Sequence, residues 1–269
     1  KPVRTISGVA PIALMSEPYP CPHTMKGIGP CTYCPGGPGS VFGDVPQSYT
    51  GKEPSTRRAI RNNYDPYLIV FNRLEHYVAM GKVPDKAEII IQGGTFTFFP
   101  KAYQEYFVKY ALKAMNDFSK LFFDSSRNLD ILKFKKFFEL PRILSEDDKR
   151  TKAVQQKVIY IKNLDLNDLE VRKKIGELFF KYNFVDLNNV KINNGKIYIA
   201  LGKIKNNQQN GINVSTQNEA LNIIENKIQN PNTLAIKNIQ NKLKTEDNKN
   251  LTLKQIQKEN ETSFIRCVG

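Results

Sequence analysis

Ala87-Glu88-Ile89-Ile90-Ile91-Gln92-Gly93-Gly94-Thr95 reads as a buried strand, residues 87–92, closed by a glycine pair. A short apolar run bounded by glycine fits a strand with both faces covered, the pattern of a parallel sheet. Working outward supports this. Asp65-Pro66 opens a helix running to about Met80, with Leu68, Phe71, Leu74, Tyr77 and Val78 at helical spacing and Gly81 as its stop. Residues 100–118 form a second helix, with Tyr103, Phe107, Ala111 and Met115 on one face. Residues 5–15 are apolar and β-prone and make the first strand; residues 54–63 make a short helix with Pro in its first turn; residues 263–268 begin a third strand. Strand, helix, strand, helix with short links predicts a parallel α/β sheet. In such folds ligands gather at the carboxyl ends of the strands. Gly93-Gly94-Thr95 stands at one such end.

The loop after the first strand stands at another. Residues 19–38 read Y-P-C-P-H-T-M-K-G-I-G-P-C-T-Y-C-P-G-G-P, with Cys21, Cys31 and Cys34 spaced C-x9-C-x2-C. A 4Fe-4S cluster normally takes four thiolates. Three leave one iron open, and S-adenosylmethionine is the usual occupant in radical chemistry. Two other readings stand beside it. Cys21, His23, Cys31 and Cys34 make a Cys3His set for structural zinc. With Cys267, four cysteines also allow two disulfides, although the chain shows no secretory segment. Spacing alone leaves cluster and zinc open. The run Pro35-Gly36-Gly37-Pro38-Gly39 lets backbone pass close to a buried cofactor. Gly37, Gly39 and Gly43 miss the dinucleotide-binding spacing.

Composition divides the chain. Residues 1–118 hold 13 Lys+Arg against 9 Asp+Glu (+4), and residues 119–269 hold 27 against 17 (+10), for a net charge of +14. A basic chain suits a polyanion such as RNA. Seventeen Asn between residues 188 and 250 fit instead AT-rich codon bias or a solvated surface in the rear. Thirteen of the 15 Pro precede residue 119, so the front is the loop-rich site region and the rear is helical. In the rear, residues 166–182, 217–228 and 233–243 read as helices and residues 190–204 as a hairpin turning at Asn193-Asn194-Gly195. Phe134, Phe137 and Phe138 read as core rather than as base-stacking platforms. No apolar run is long enough to span a membrane.

The front of the chain resembles the radical-SAM half of the catalytic subunit of the elongator complex, a tRNA wobble-uridine acetyltransferase. The resemblance rests on K-P-V-R-T-I-S-G-V-A (1–10), P-Y-P-C-P-H (18–23), C-T-Y-C-P-G-G-P (31–38), Q-S-Y-T-G-K-E-P-S-T-R-R-A-I-R (47–61), Y-D-P-Y (64–67), D-K-A-E-I-I-I-Q-G-G-T-F (85–96) and R-C-V-G (266–269). It is close over residues 1–118, loose over 119–163, and returns in the last dozen. The implied organisation is the first part of a radical-SAM partial (β/α) barrel at 1–163, a lysine- and asparagine-rich helical insertion of unknown role at 164–250 that is expected to be separable from the barrel, and a return to the barrel at 251–269. The chain starts at Lys1 without Met and stops where the family continues into an E-T-R-P-D strand, so it is expected to be a fragment that lacks the acetyltransferase domain and is inactive alone.

The resemblance also implies roles. Cys21, Cys31 and Cys34 would hold the 4Fe-4S cluster, with Tyr33 packed against it; His23, read on its own, is either a group beside the cluster or, more often for such a histidine, a satisfied polar residue. Gly93, Gly94 and Thr95 would meet the amino group of S-adenosylmethionine; the wider superfamily usually carries Glu where Thr95 stands, and Thr is the elongator-type form. Lys86 would meet acetyl-CoA across a domain boundary, beside the reading as a solvated surface lysine. Arg57, Arg58 and Arg61 would contact tRNA phosphates, or else pair with Glu53 and Asp65. The implied activity is carboxymethylation of the wobble uridine at C5, in the cytoplasm, with tRNA, acetyl-CoA and further elongator-type subunits or a C-terminal segment as partners. The other functional reading is a non-catalytic tRNA-binding module whose iron–sulfur or zinc site is structural.

Overall fold

Two strands, β1 (Ala10–Met15) and β2 (Lys86–Gln92), pair in parallel from Ala10–Ala87 to Met15–Gln92. The computed structural model describes residues 8–141, 147–181, 190–193, 196–199, 231–244 and 251–268. A third parallel strand, β5 (Arg266–Cys267), joins β2 through Lys86–Arg266 and Ala87–Cys267, so the order β1-β2-β5 follows the chain. Parallel neighbours require helical crossovers, and the chain supplies them. Between β1 and β2 run α1 (Pro22–Met25), α2 (Pro54–Arg61) and α3 (Pro66–Ala79). Between β2 and β5 come α4 (Lys101–Phe122), α5 (Ile131–Phe137), α6 (Asp147–Lys162), α7 (Leu169–Gly176), α8 (Pro231–Lys244) and α9 (Leu253–Thr262). An antiparallel pair, β3 (Val190–Asn193) and β4 (Lys196–Ile199), stands apart from the main sheet.

Local chemistry sets the helix ends. Asp65 caps α3 by accepting from the backbone of Tyr67 (2.9 Å) and Leu68 (3.2 Å), with Pro66 in the first turn. Gly81, at φ +75°, ends it, as its left-handed conformation permits. Thr252 and Gln255 form a capping box at the start of α9. The α4 helix runs four residues past the expected stop at Phe118, because Leu121 and Phe122 continue the buried stripe.

The core lies on the helix side of the sheet. Ile12 and Leu14 of β1 and Ala87 of β2 are fully buried, together with Tyr67, Phe71, Tyr103 and Phe107 of α3 and α4. Phe118, Phe122, Phe134, Phe137 and Phe138 form one aromatic cluster, which gives those phenylalanines their place as core residues. The opposite sheet face carries exposed Glu88 and Ile90, the latter 41% accessible. A parallel sheet normally has both faces covered, and this one is covered on one among the described residues.

Buried charges are paired. Lys113 bonds Asp117, which also accepts from the Tyr67 hydroxyl at 2.7 Å, and Arg150 bonds Glu75. Lys162 of α6 reaches Asp65 at 2.6 Å and lies over the Tyr110 ring at 4.3 Å. The core also crosses residue 164. Leu166, Val171, Ile175, Leu178, Phe179 and Ile239 belong to the same hydrophobic cluster as the sheet helices, and Lys242 of α8 bonds Glu17 just beyond β1. Separability, expected from composition, does not extend to packing, because amphipathic segments bury their apolar faces whatever their Asn content.

Several expectations changed. The first strand is shorter than residues 5–15, and residues 1–7 lie outside the described residues. The helix expected over 166–182 is α7 followed by a π-helical turn at Glu177–Lys181. The hairpin is two four-residue strands, with Asn194-Gly195 and residues 200–204 outside the described residues, as is the helix expected at 217–228. The expected third strand shrinks to β5, and α6 was not anticipated: with Lys and Gln on most of its faces, its stripe is only Val154, Val158 and Ile161.

Candidate functional site

At the carboxyl end of β1 the chain passes through Ser16-Glu17 into the cysteine loop. Cys21 is buried and caps α1: its Sγ accepts from Thr24 N at 3.4 Å and lies 3.1 Å from Thr24 Oγ1. Cys31 and Cys34 follow in a tight turn closed by Cys34 N to Cys31 O at 2.8 Å. The Cys31 Sγ lies 3.7 Å from His23 Nδ1. All four cysteines are free, so no disulfide forms. The three loop thiols and His23 line one cavity of about 220 Å³ together with Tyr33, Gln47, Ser48, Gly94 and Thr95. Two ends of parallel strands thus meet one pocket, because β1 and β2 are neighbours whose carboxyl ends coincide at Met15–Gln92.

Glycines allow this convergence. A Cβ on Gly36 would stand 2.1 Å from Tyr49 O, and one on Gly37 2.5 Å from Gln47 Oε1. Gly93, at φ +132°, has Ser16 Oγ where a Cβ would be, 1.8 Å away. Gly94, at φ +69°, has Gln47 O 2.7 Å from its own virtual Cβ. The Gly93-Gly94 turn therefore requires glycine by conformation and by space, and the Gly36-Gly37 turn by space.

Cys34 is the most heavily bonded thiol. Its Sγ receives Gln47 Nε2 at 2.9 Å, lies 3.5 Å from Ser48 Oγ and donates to Gly36 O at 3.3 Å. Burial raises the Cys34 pKa, but hydrogen bonds from Ser48 and Gln47 outweigh it and hold the thiol below its ordinary range. Among the described residues no three His, Cys, Asp or Glu side chains stand close enough together to hold one metal ion. The three thiols share the wall of the 220 Å³ cavity. The fourth cysteine, Cys267, pairs with Ala87 at the amino end of β2, six residues or about 20 Å from Gly93. The donor set thus fits a group that takes three thiolates and leaves one position open.

The other predicted residues fall in three places. Thr95 lies on the cavity wall, and Tyr33 is at its rim, 86% exposed rather than packed inward. Lys86 is exposed at the amino end of β2, about 20 Å along the strand from Gln92, so it does not join the cavity. Arg57 and Arg61 are exposed and Arg58 half-buried on α2. The acids named as their alternative partners are engaged elsewhere: Glu53 accepts from Thr50, and Asp65 from Lys162. Among the described residues none of the three arginines forms an ion pair. Arg58 is instead depressed by burial and by Arg73, a neighbouring cation that stacks on Tyr77 at 4.4 Å. Sequence reading missed Gln47, Ser48, Ser16 and Arg73. The signal for the first two lay in Q-S-Y-T-G-K, a motif that carried the resemblance but received no role.

No protein-family model matches the chain. It is similar to the tRNA uridine(34) acetyltransferase of Methanocaldococcus jannaschii, 54% identical over 116 residues, which are 43% of this chain and 20% of that protein. Elongator complex protein 3 of Homo sapiens is 48% identical over 109 residues, 40% of this chain and 20% of that protein. A solved structure, the archaeal Methanocaldococcus infernus Elp3 with an N-terminal deletion, is 28% identical over 49% of this chain and 20% of its own, at a TM-score of 0.25, which is too low to argue from. The chain spans about a fifth of the length of the curated relatives it matches. Over somewhat less than half its length, then, it is a homologue, at about half identity, of proteins named tRNA uridine(34) acetyltransferase and Elongator complex protein 3.

Proposed function

We propose that this chain carries the cluster-binding part of a radical-SAM tRNA wobble-uridine acetyltransferase of the elongator type, acting at C5 of the uridine in the cytoplasm. One observation carries the reading: three thiols and the Gly94-Thr95 turn line a single cavity at the carboxyl ends of adjacent parallel strands. The sequential order β1-β2-β5 and the bare sheet face support a partial (β/α) barrel. A 4Fe-4S cluster, when bound, supplies the electron that cleaves S-adenosylmethionine. Cys21, Cys31 and Cys34 would hold it as thiolates. The Gly93-Gly94-Thr95 backbone would accept the amino group of S-adenosylmethionine, since glycine exposes carbonyls that a side chain would cover. Lys86, distant from the cavity and exposed, suits a phosphate-rich partner such as acetyl-CoA bound at the other end of the strand.

Arg57, Arg58 and Arg61 would meet tRNA phosphates. Cations clustered without acid partners repel one another and are relieved by a polyanion. Further elongator-type subunits, or a C-terminal segment, would be its protein partners. Binding of S-adenosylmethionine tests the reading. Its addition to the anaerobically reconstituted, dithionite-reduced chain is expected to change the EPR spectrum of the cluster, and the change is expected to be lost in Gly94→Val. A spectrum that S-adenosylmethionine leaves unaltered would overturn the proposal.

A further inference from the structure

Gln47 belongs to no residue set given a role above, yet it joins two of them. Its side chain is buried, 7% exposed. Nε2 donates to Cys34 Sγ at 2.9 Å and to Gly36 O at 3.1 Å, which uses both amide hydrogens. The same side chain fills the space that a Cβ on Gly37 would need, and its main chain fills the space beside Gly94. It is therefore wedged between the glycine turn after the cysteines and the glycine pair after β2, with one amide N–H on the Cys34 sulfur and the other on Gly36 O.

An N–H bond to a metal-bound sulfur strengthens as the sulfur gains negative charge. It therefore favours the reduced form of an iron–sulfur group, and such bonds are among the protein's means of setting its potential. We propose that Gln47 is a positioning residue that holds Cys34 against the strand-end glycine pair and, through its N–H···S bond, raises the reduction potential of the group bound there. This rests on the reading of the cysteines as cluster ligands. Ser16, whose buried hydroxyl faces Gly93, has no hydrogen-bond partner for its Oγ.

The test uses the whole chain, reconstituted anaerobically with iron and sulfide, as wild type, Gln47→Leu and Gln47→Glu. Midpoints are read by EPR-monitored dithionite titration. With iron content retained, the Leu variant is expected to have a more negative midpoint than wild type and the Glu variant a more negative one still, because a carboxylate beside the sulfur opposes added electrons. Unchanged midpoints at full iron content would overturn the inference. If the variants do not load, wild type decides. With glutamine side chains labelled by nitrogen-15, pulsed EPR of the reduced cluster is expected to show a nitrogen coupling, and its absence would overturn the inference equally. A wild-type chain that takes up no iron and sulfide would instead refute the reading of the cysteines, and this inference with it.

Discussion

Gly93→Ala measures how tightly the strand ends are locked together. The backbone at Gly93 has φ +132°, which a residue with a Cβ adopts at a cost of about 1–3 kcal/mol. The new methyl would also stand 1.8 Å from Ser16 Oγ and 3.0 Å from Ser16 Cβ, overpacking of the kind that costs about 1–3 kcal/mol. The expected loss is about 2–6 kcal/mol, a large share of a domain's total stability. Ser16 separates the two contributions. Its hydroxyl is buried without a partner, and a buried unsatisfied group costs about 1–3 kcal/mol, so Ser16→Ala is expected to be neutral or stabilising. Combining it with Gly93→Ala removes the closest clashing atom, Ser16 Oγ, and should recover about 1–3 kcal/mol, leaving the backbone strain and the 3.0 Å approach to Ser16 Cβ. The chain has no Trp, so urea denaturation followed by circular dichroism is the assay. A single mutant within about 0.5 kcal/mol of wild type, or a double mutant no better than Gly93→Ala, would refute the reasoning.

Three further outcomes follow from the same structure. Asp65 is pushed up by burial and, more strongly, held down by Lys162, Lys242 and the Leu68 N–H, so its folded pKa lies below the ordinary 3.8. Its stabilisation is therefore present above that value and lost as pH falls through the folded pKa. Asp65→Asn is expected to cost about 3–5 kcal/mol in denaturation at pH 7, with the gap to wild type closing below pH 3.8. Deleting residues 164–250 removes Val171, Ile175, Phe179 and Ile239 from the core and is expected to leave insoluble or unfolded protein; a soluble, cooperatively melting deletion would show the segment to be separable. Changing Arg57, Arg58 and Arg61 together to Ala should flatten the log–log salt dependence of tRNA binding by about two to three units while leaving iron content unchanged. An unaltered slope would move the RNA surface elsewhere.

The front of the fold was legible because local and global signals agree there. Asp65-Pro66 and Gly81 punctuate α3 at both ends, and the I-I-I run between Lys86 and the glycine pair marks a strand, although β2 keeps one face exposed where the run predicted burial on both. The meeting of Cys34 with Gly94 was legible only as adjacency of strand ends. Its actual agent, Gln47, is an amide in a loop, a residue type that carries no periodicity and gains meaning only from what it touches. The rear was harder to read. A composition rich in Lys and Asn hides the few apolar residues, Ile239 and Ile175 among them, that bind it to the core. That Asp65 is not an ion-pair partner of the arginines was equally invisible, because whether it pairs with α2 or with Lys162 depends on α6, some hundred residues away in the chain.

The central claim is that three thiolates hold an iron–sulfur cluster with an open iron, and metal and sulfide analysis of the anaerobically purified and reconstituted chain tests it most directly. The account predicts about four iron and four sulfide per chain with a brown chromophore, a rhombic or axial EPR signal on reduction, and loss of all three in Cys31→Ser. It predicts no such loss in Cys267→Ser, since that cysteine stands at the opposite end of β2. One zinc per chain without sulfide, retained by Cys31→Ser or not, would contradict it.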